Sequence, residues 1–127
     1  LRGVRPQDLA VRAEVFLEWK GEVILDSKLA KVLHEIEQRG SLLTACRVVG
    51  VPYARTWERL ARIEEIFGKK LLEAKRGGLG GGGARLTELG KELLKLYLDA
   101  ETKLGAPLRA TPETKVARSM PDLAVMG

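Results

Sequence analysis

Hydrophobic and polar positions mostly alternate along residues 11–19, "VRAEVFLEW": Val11, Ala13, Val15, Leu17 and Trp19 fall between Arg12, Glu14 and Glu18, with the apolar Phe16 interrupting the pattern. A period near two predicts a half-buried strand. Lys20-Gly21-Glu22 reads as a turn, and Val23-Ile24-Leu25 as a short second strand. The period then changes. Leu29, Val32, Leu33 and Ile36 recur at helical spacing, with Asp26-Ser27 placed to cap the start and Gly40 to end the helix. Ser41 opens a second helix through Leu42, Ala45, Cys46 and Val49, and Gly50 breaks it. Val51-Pro52 restarts the chain into a third helix, whose stripe of Trp57, Leu60, Ile63 and Phe67 ends at Gly68.

Two helices joined by so short a break predict a helix-turn-helix. The spacing sets Arg55, Thr56, Arg59 and Arg62 on the face opposite the Trp57/Leu60 stripe, with Pro52 and Tyr53 in the first turn. An arginine ridge of this kind can read guanine edges or clamp phosphate in a major groove. The same arginines could instead form a solvated face paired with Glu58 and Glu65.

Beyond Gly68 the pattern suggests a hairpin. "KKLLEAKR" and "ARLT" read as two short strands flanking a glycine-rich tip. The tip contains Gly78-x-Gly80-x-x-Gly83, the spacing of a dinucleotide-binding loop. Such a loop must follow a strand and open directly into a helix. Here Ala84-Arg85-Leu86 intervenes before the capping Thr87, and no Gly-Lys-Ser/Thr closes the run. The run is therefore read as a wing. Residues 69–85 carry five basic side chains against one acidic. Lys75, Arg76 and Arg85, beside Gly78 and Gly80, suit contacts to a sugar-phosphate backbone.

Thr87 caps a long helix of about residues 87–104, with Leu89, Leu93, Leu96, Ala100 and Leu104 along one side and Leu94, Tyr97 and Leu98 widening the apolar surface. So broad a face predicts a two-fold dimer through this helix, with Leu89, Leu93, Leu96, Tyr97 and Leu104 at its centre; burial within the same chain is the alternative. Residues 105–127 hold three of the five prolines and read as a linker or tail, and "DLAVMG" resembles the first strand of a further, ligand-sensing domain.

Composition narrows the class. The chain has 127 residues and a formal net charge of +5, which allows an anionic partner. Cys46 is the only cysteine and His34 the only histidine, so no internal disulfide forms and no zinc-ligand set is spelled out; a cytoplasmic protein is expected. The apolar runs are too short to cross a bilayer, and no signal peptide is visible. The first residue is Leu1, as in a piece of a longer protein. No paired carboxylates, nucleophile–base set or metal cluster surrounds the glycine run, so no enzyme is expected and no cofactor is assigned.

The segment "SLLTACRVVGVPYARTWERLARIEEIFGKKLLEAKRGGLGGGGARLTELGKELLKLY" resembles the DNA-binding domain of the ModE family of molybdate-responsive transcription regulators. The likeness spans about residues 12–104. It rests on Gly-Val-Pro-Tyr-Ala-Arg-x-Trp at 50–57, the Arg-Gly-Gly-x-Gly-Gly-Gly wing and Leu-Thr-x-x-Gly at 86–90. The architecture is also similar to the LysR-type winged domains. The resemblance implies a homodimer on a palindromic operator of double-stranded DNA, controlling molybdate uptake or molybdenum-cofactor genes. It implies a recognition helix beginning near Pro52, Tyr53, Arg55 and Thr56 and a wing from Arg76 to Arg85. The family senses molybdate in separate C-terminal β-rich domains, and the 23 or so residues after Leu104 are too few for one. Molybdate is thus expected only where a separate effector domain exists.

The expected fold is mainly α with a small β component (α+β): a winged helix-turn-helix over residues 1–104 with a long C-terminal dimerisation helix. The expected function is sequence-specific regulation of transcription. A winged-helix adaptor for another protein, or an architectural DNA-binding protein, is the alternative.

Overall fold

A computed structural model describes residues 3–75 and 83–110, with side chains as far as residue 104. The elements run β1 (Leu17–Trp19), β2 (Glu22–Leu25), α1 (Ser27–Arg39), α2 (Leu42–Val49), α3 (Tyr53–Phe67), β3 (Leu72–Lys75), β4 (Gly83–Leu86) and α4 (Glu88–Ala110). Among the described residues, four α-helices and two antiparallel hairpins make the expected α+β winged helix-turn-helix.

The chain divides into two units, residues 16–98 and a second made of residues 1–15 and 99–127. In the second, the described parts are a 3-10 turn at Pro6–Asp8, joined by exposed backbone, and the C-terminal portion of α4.

The first unit holds the core. Leu25, Val32, Leu33, Ile36, Ala45, Cys46, Leu60, Ile63, Leu71, Leu86 and Tyr97 are all buried in it. The helical boundaries follow the local signals. Asp26 accepts from the Leu29 N–H at 2.9 Å and Ser41 from the Thr44 N–H at 3.1 Å, each filling an N-terminal orphan donor. Gly40, Gly50 and Gly68 close α1, α2 and α3 in the left-handed conformation.

Three expectations shift. The strand read from Val11 begins only at Leu17, because its partner runs out: Leu17 pairs with Leu25, and Asp26 next to it is already the cap of α1. The alternation in residues 11–16 therefore has no ladder to join. The last helix continues to Ala110 instead of stopping at Leu104. A proline removes one helical N–H, which weakens a turn without necessarily ending the helix. The apolar surface of α4 is also divided between burial and exposure. Leu93 and Tyr97, assigned to the dimer contact, are buried with Leu94 in the described chain, and Leu89 is half-buried. Leu96 and Leu104 remain exposed.

Gly90 explains the Leu-Thr-x-x-Gly stretch. A Cβ there would lie 2.8 Å from the Leu71 carbonyl oxygen and 3.1 Å from the Leu86 Cβ. Only glycine lets the first turn of α4 come so close to the base of the wing. Thr87 ties the same corner: its N–H donates to Leu71 O at 2.9 Å, and its hydroxyl donates to Lys70 O at 2.6 Å.

Candidate nucleic-acid interface

The turn between α2 and α3 is Gly50-Val51-Pro52, with the Gly50 and Val51 N–H groups both donating to Cys46 O. Pro52 is the N-cap of α3, and its carbonyl accepts from the Thr56 hydroxyl at 2.7 Å. That bond lets a threonine sit in the core, and Thr56 is 4% exposed. The buried stripe of α3 is accordingly Thr56, Leu60 and Ile63. The expected stripe through Trp57 and Phe67 is corrected: Trp57 is 56% exposed and Phe67 also faces solvent. Thr56 is withdrawn from the outward ridge. A threonine at the head of an i, i+4, i+7 set was the signal for this phase, and its polar side chain disguised it.

The arginines part company. Arg62 donates from Nε and a terminal nitrogen to both Glu22 carboxylate oxygens on β2, at 2.9 Å each, and also pairs with Glu65. Arg59 lies 3.1 Å from the Asp26 carboxylate that caps α1. Both therefore bind α3 to its own domain instead of standing free on a ridge. Arg55 is exposed and, among the described residues, has no partner. Pro52 and Tyr53 are exposed beside it.

The Arg62 hydrogen bonds hold the Glu22 carboxyl below its usual range and raise the guanidinium further. Because the folded-state value of Glu22 is lowered, the tie is complete above the ordinary carboxylate pKa and is lost as pH falls through the depressed one. Thermal midpoints of wild type and Glu22→Gln are expected to differ at neutral pH and to converge in acid. A constant difference across that range would mean that the pair does not titrate as described.

On the wing, Glu73 and Arg85 face each other across β3 and β4 and pair at 2.8 Å. Lys75, at the end of β3, is exposed and has no partner among the described residues. Arg76, Gly78 and Gly80 lie outside the described residues. The base of the wing is anchored to α1: the Ala84 N–H donates to Gly40 O at 2.8 Å, and the Leu86 N–H to the Glu37 carboxylate at 3.2 Å. Across from it, Glu64 of α3 accepts from the Leu71 N–H at 2.8 Å. Two carboxylates that look like surface charge in the sequence, Glu37 and Glu64, thus tie the base of the wing to α1 and α3. Between the two runs a groove of about 580 Å³, lined by Tyr53, Trp57, Leu42, Leu60, Leu72 and Ala84 among others.

Cys46 is buried, and no group of three histidine, cysteine, aspartate or glutamate side chains could hold a metal among the described residues. No helix among them is long and apolar enough to cross a membrane.

No protein-family model matches the chain. The "Transcriptional regulator ModE" of Haemophilus influenzae is 37% identical over 75 residues, 59% of this chain and 29% of that protein. The ModE regulator of Yersinia pestis is 30% identical over 89 residues, 68% of this chain and 34% of that protein. This chain is a homologue of the ModE transcriptional regulators. The "Molybdenum-pterin-binding protein MopA" of Rhodobacter capsulatus is 36% identical over 64 residues, 50% of this chain and 24% of that protein. The chain spans about a third of the length of the curated ModE relatives that it matches. The solved structure of ArgP from Mycobacterium tuberculosis aligns with a TM-score of 0.49 and 20% identity, over 67% of this chain and 30% of that one.

Proposed function

We propose that the chain is the DNA-binding part of a transcription regulator of the ModE kind, acting in the cytoplasm as a homodimer on double-stranded DNA. The N-terminal half of α3 enters the major groove, and the wing meets the phosphate backbone. The observation that carries this reading is the division of labour on α3. Arg59 and Arg62 are spent on fixing the helix, while Pro52, Tyr53 and Arg55 stand exposed at its leading end. Relatives that carry the name "Molybdenum transport protein ModE" support a role in molybdate transport, and control of molybdenum-cofactor genes belongs to the same proposal. Molybdate itself is assigned to no residue here and would act through a separate effector domain. Dimerisation uses the leucines that α4 leaves exposed among the described side chains, Leu96, Leu98 and Leu104.

Fluorescence anisotropy with the chain's own promoter DNA and a scrambled duplex tests the reading. Preference for the promoter is expected. Arg55→Ala is expected to cost roughly 1–3 kcal/mol on the promoter and little on the scrambled duplex. Equal losses on both would make Arg55 a phosphate contact only. A second reading, docking of a protein partner, is favoured by the apolar groove beside Trp57. Weak DNA binding without promoter preference would support it.

A further inference from the structure

The leading end of α3 carries a carboxylate as well as an arginine. The helix holds three arginines and three glutamates, so it brings no net charge to a polyanion. Four of these six are committed: Arg59 to Asp26, Arg62 to Glu22 and Glu65, Glu65 in return, and Glu64 to the Leu71 N–H. Arg55 and Glu58 are left, both exposed and both without a partner among the described residues. Thr56, Leu60 and Ile63 mark the buried direction of the helix. At 3.6 residues per turn, Ala54 and Glu58 fall on the opposite side, one turn apart. The alanine leaves space next to the carboxylate.

A free carboxylate at this place repels phosphate and weakens binding wherever it finds no donor. The donors on base edges in the major groove are the amino groups at cytosine N4 and adenine N6. Adenine sets its N7 acceptor beside N6, where it opposes the second carboxylate oxygen. Cytosine presents a C–H there. We propose that Glu58 is a specificity-determining residue that accepts a hydrogen bond from a cytosine amino group, and so rejects half-sites lacking a C·G pair at that position. The inference rests on the major-groove docking of α3 proposed above.

Selection of bound duplexes from a random library tests it, using the full chain as wild type, Glu58→Gln and Glu58→Ala at one salt concentration. Wild type is expected to enrich a half-site with one position held to cytosine. In Glu58→Ala the half-site persists, the preference at that position falls about tenfold or more, and random duplex is bound more tightly. In Glu58→Gln the preference moves toward adenine, whose N6/N7 edge an amide matches. An identical half-site in wild type and Glu58→Ala would overturn the role of Glu58 while leaving DNA reading intact. A wild type that enriches no sequence would overturn DNA reading itself, and the role of Glu58 with it.

Discussion

Tyr97→Ala is expected to destabilise the folded chain by about 3–5 kcal/mol, and Leu96→Ala by no more than about 0.5 kcal/mol. The two residues are neighbours in sequence and both lie on the apolar surface of α4. Their environments differ because one step along a helix turns the side chain by about 100°. Gly90, Leu93, Leu94 and Tyr97 share the buried direction, and Tyr97 is 1% exposed. Leu96 points elsewhere and is 55% exposed. Removing the Tyr97 ring leaves a cavity in a domain whose whole stability is on the order of 5–15 kcal/mol. Urea denaturation measures the effect as a lower midpoint with an unchanged slope. Leu96→Ala should instead weaken self-association in sedimentation equilibrium. If Tyr97→Ala were as stable as wild type and lost only the dimer, the assignment of Tyr97 to the core would fall.

DNA affinity is expected to drop roughly a thousandfold between about 50 and 200 mM salt, the response of about six neutralised phosphates across a dimer. Since α3 carries no net charge, that neutralisation has to come from around it. The wing region supplies Lys69, Lys70, Lys75, Arg76 and Arg85, and α2 adds the exposed Arg47. Arg85 is shared with Glu73, so Lys75 is the better single test. Lys75→Ala should weaken promoter and scrambled duplexes alike and reduce the salt slope by about one for each contact removed. A nearly flat salt response would remove the wing from the backbone and turn attention to a protein partner.

The order and type of the elements were legible from residue 17 to residue 104 because the signals are local. Asp26 and Ser41 cap the turn immediately after them, and Gly40, Gly50 and Gly68 stop helices at their own positions. The readings that moved depended on what lies next to a segment in space. Residues 11–16 alternate like a strand but have no strand to pair with beyond Leu25. Thr56 was read outward because a hydroxyl counts as polar until the Pro52 carbonyl four residues back is seen to accept from it.

By itself, then, the sequence determined a winged helix-turn-helix with a basic flank and a long closing helix, since helical periodicity, caps and glycine stops act over a few residues. The tertiary structure decided which charges of α3 are left without a partner among the described residues. Arg62 is held by Glu22, 40 positions away, and the Leu86 N–H by Glu37, 49 positions away. Such pairs form only when the chain has folded back on itself, and four charged side chains of α3 are committed before any ligand arrives. What they leave, Arg55 and Glu58 at its leading end, is set by the packing of partners that no stretch of local sequence contains.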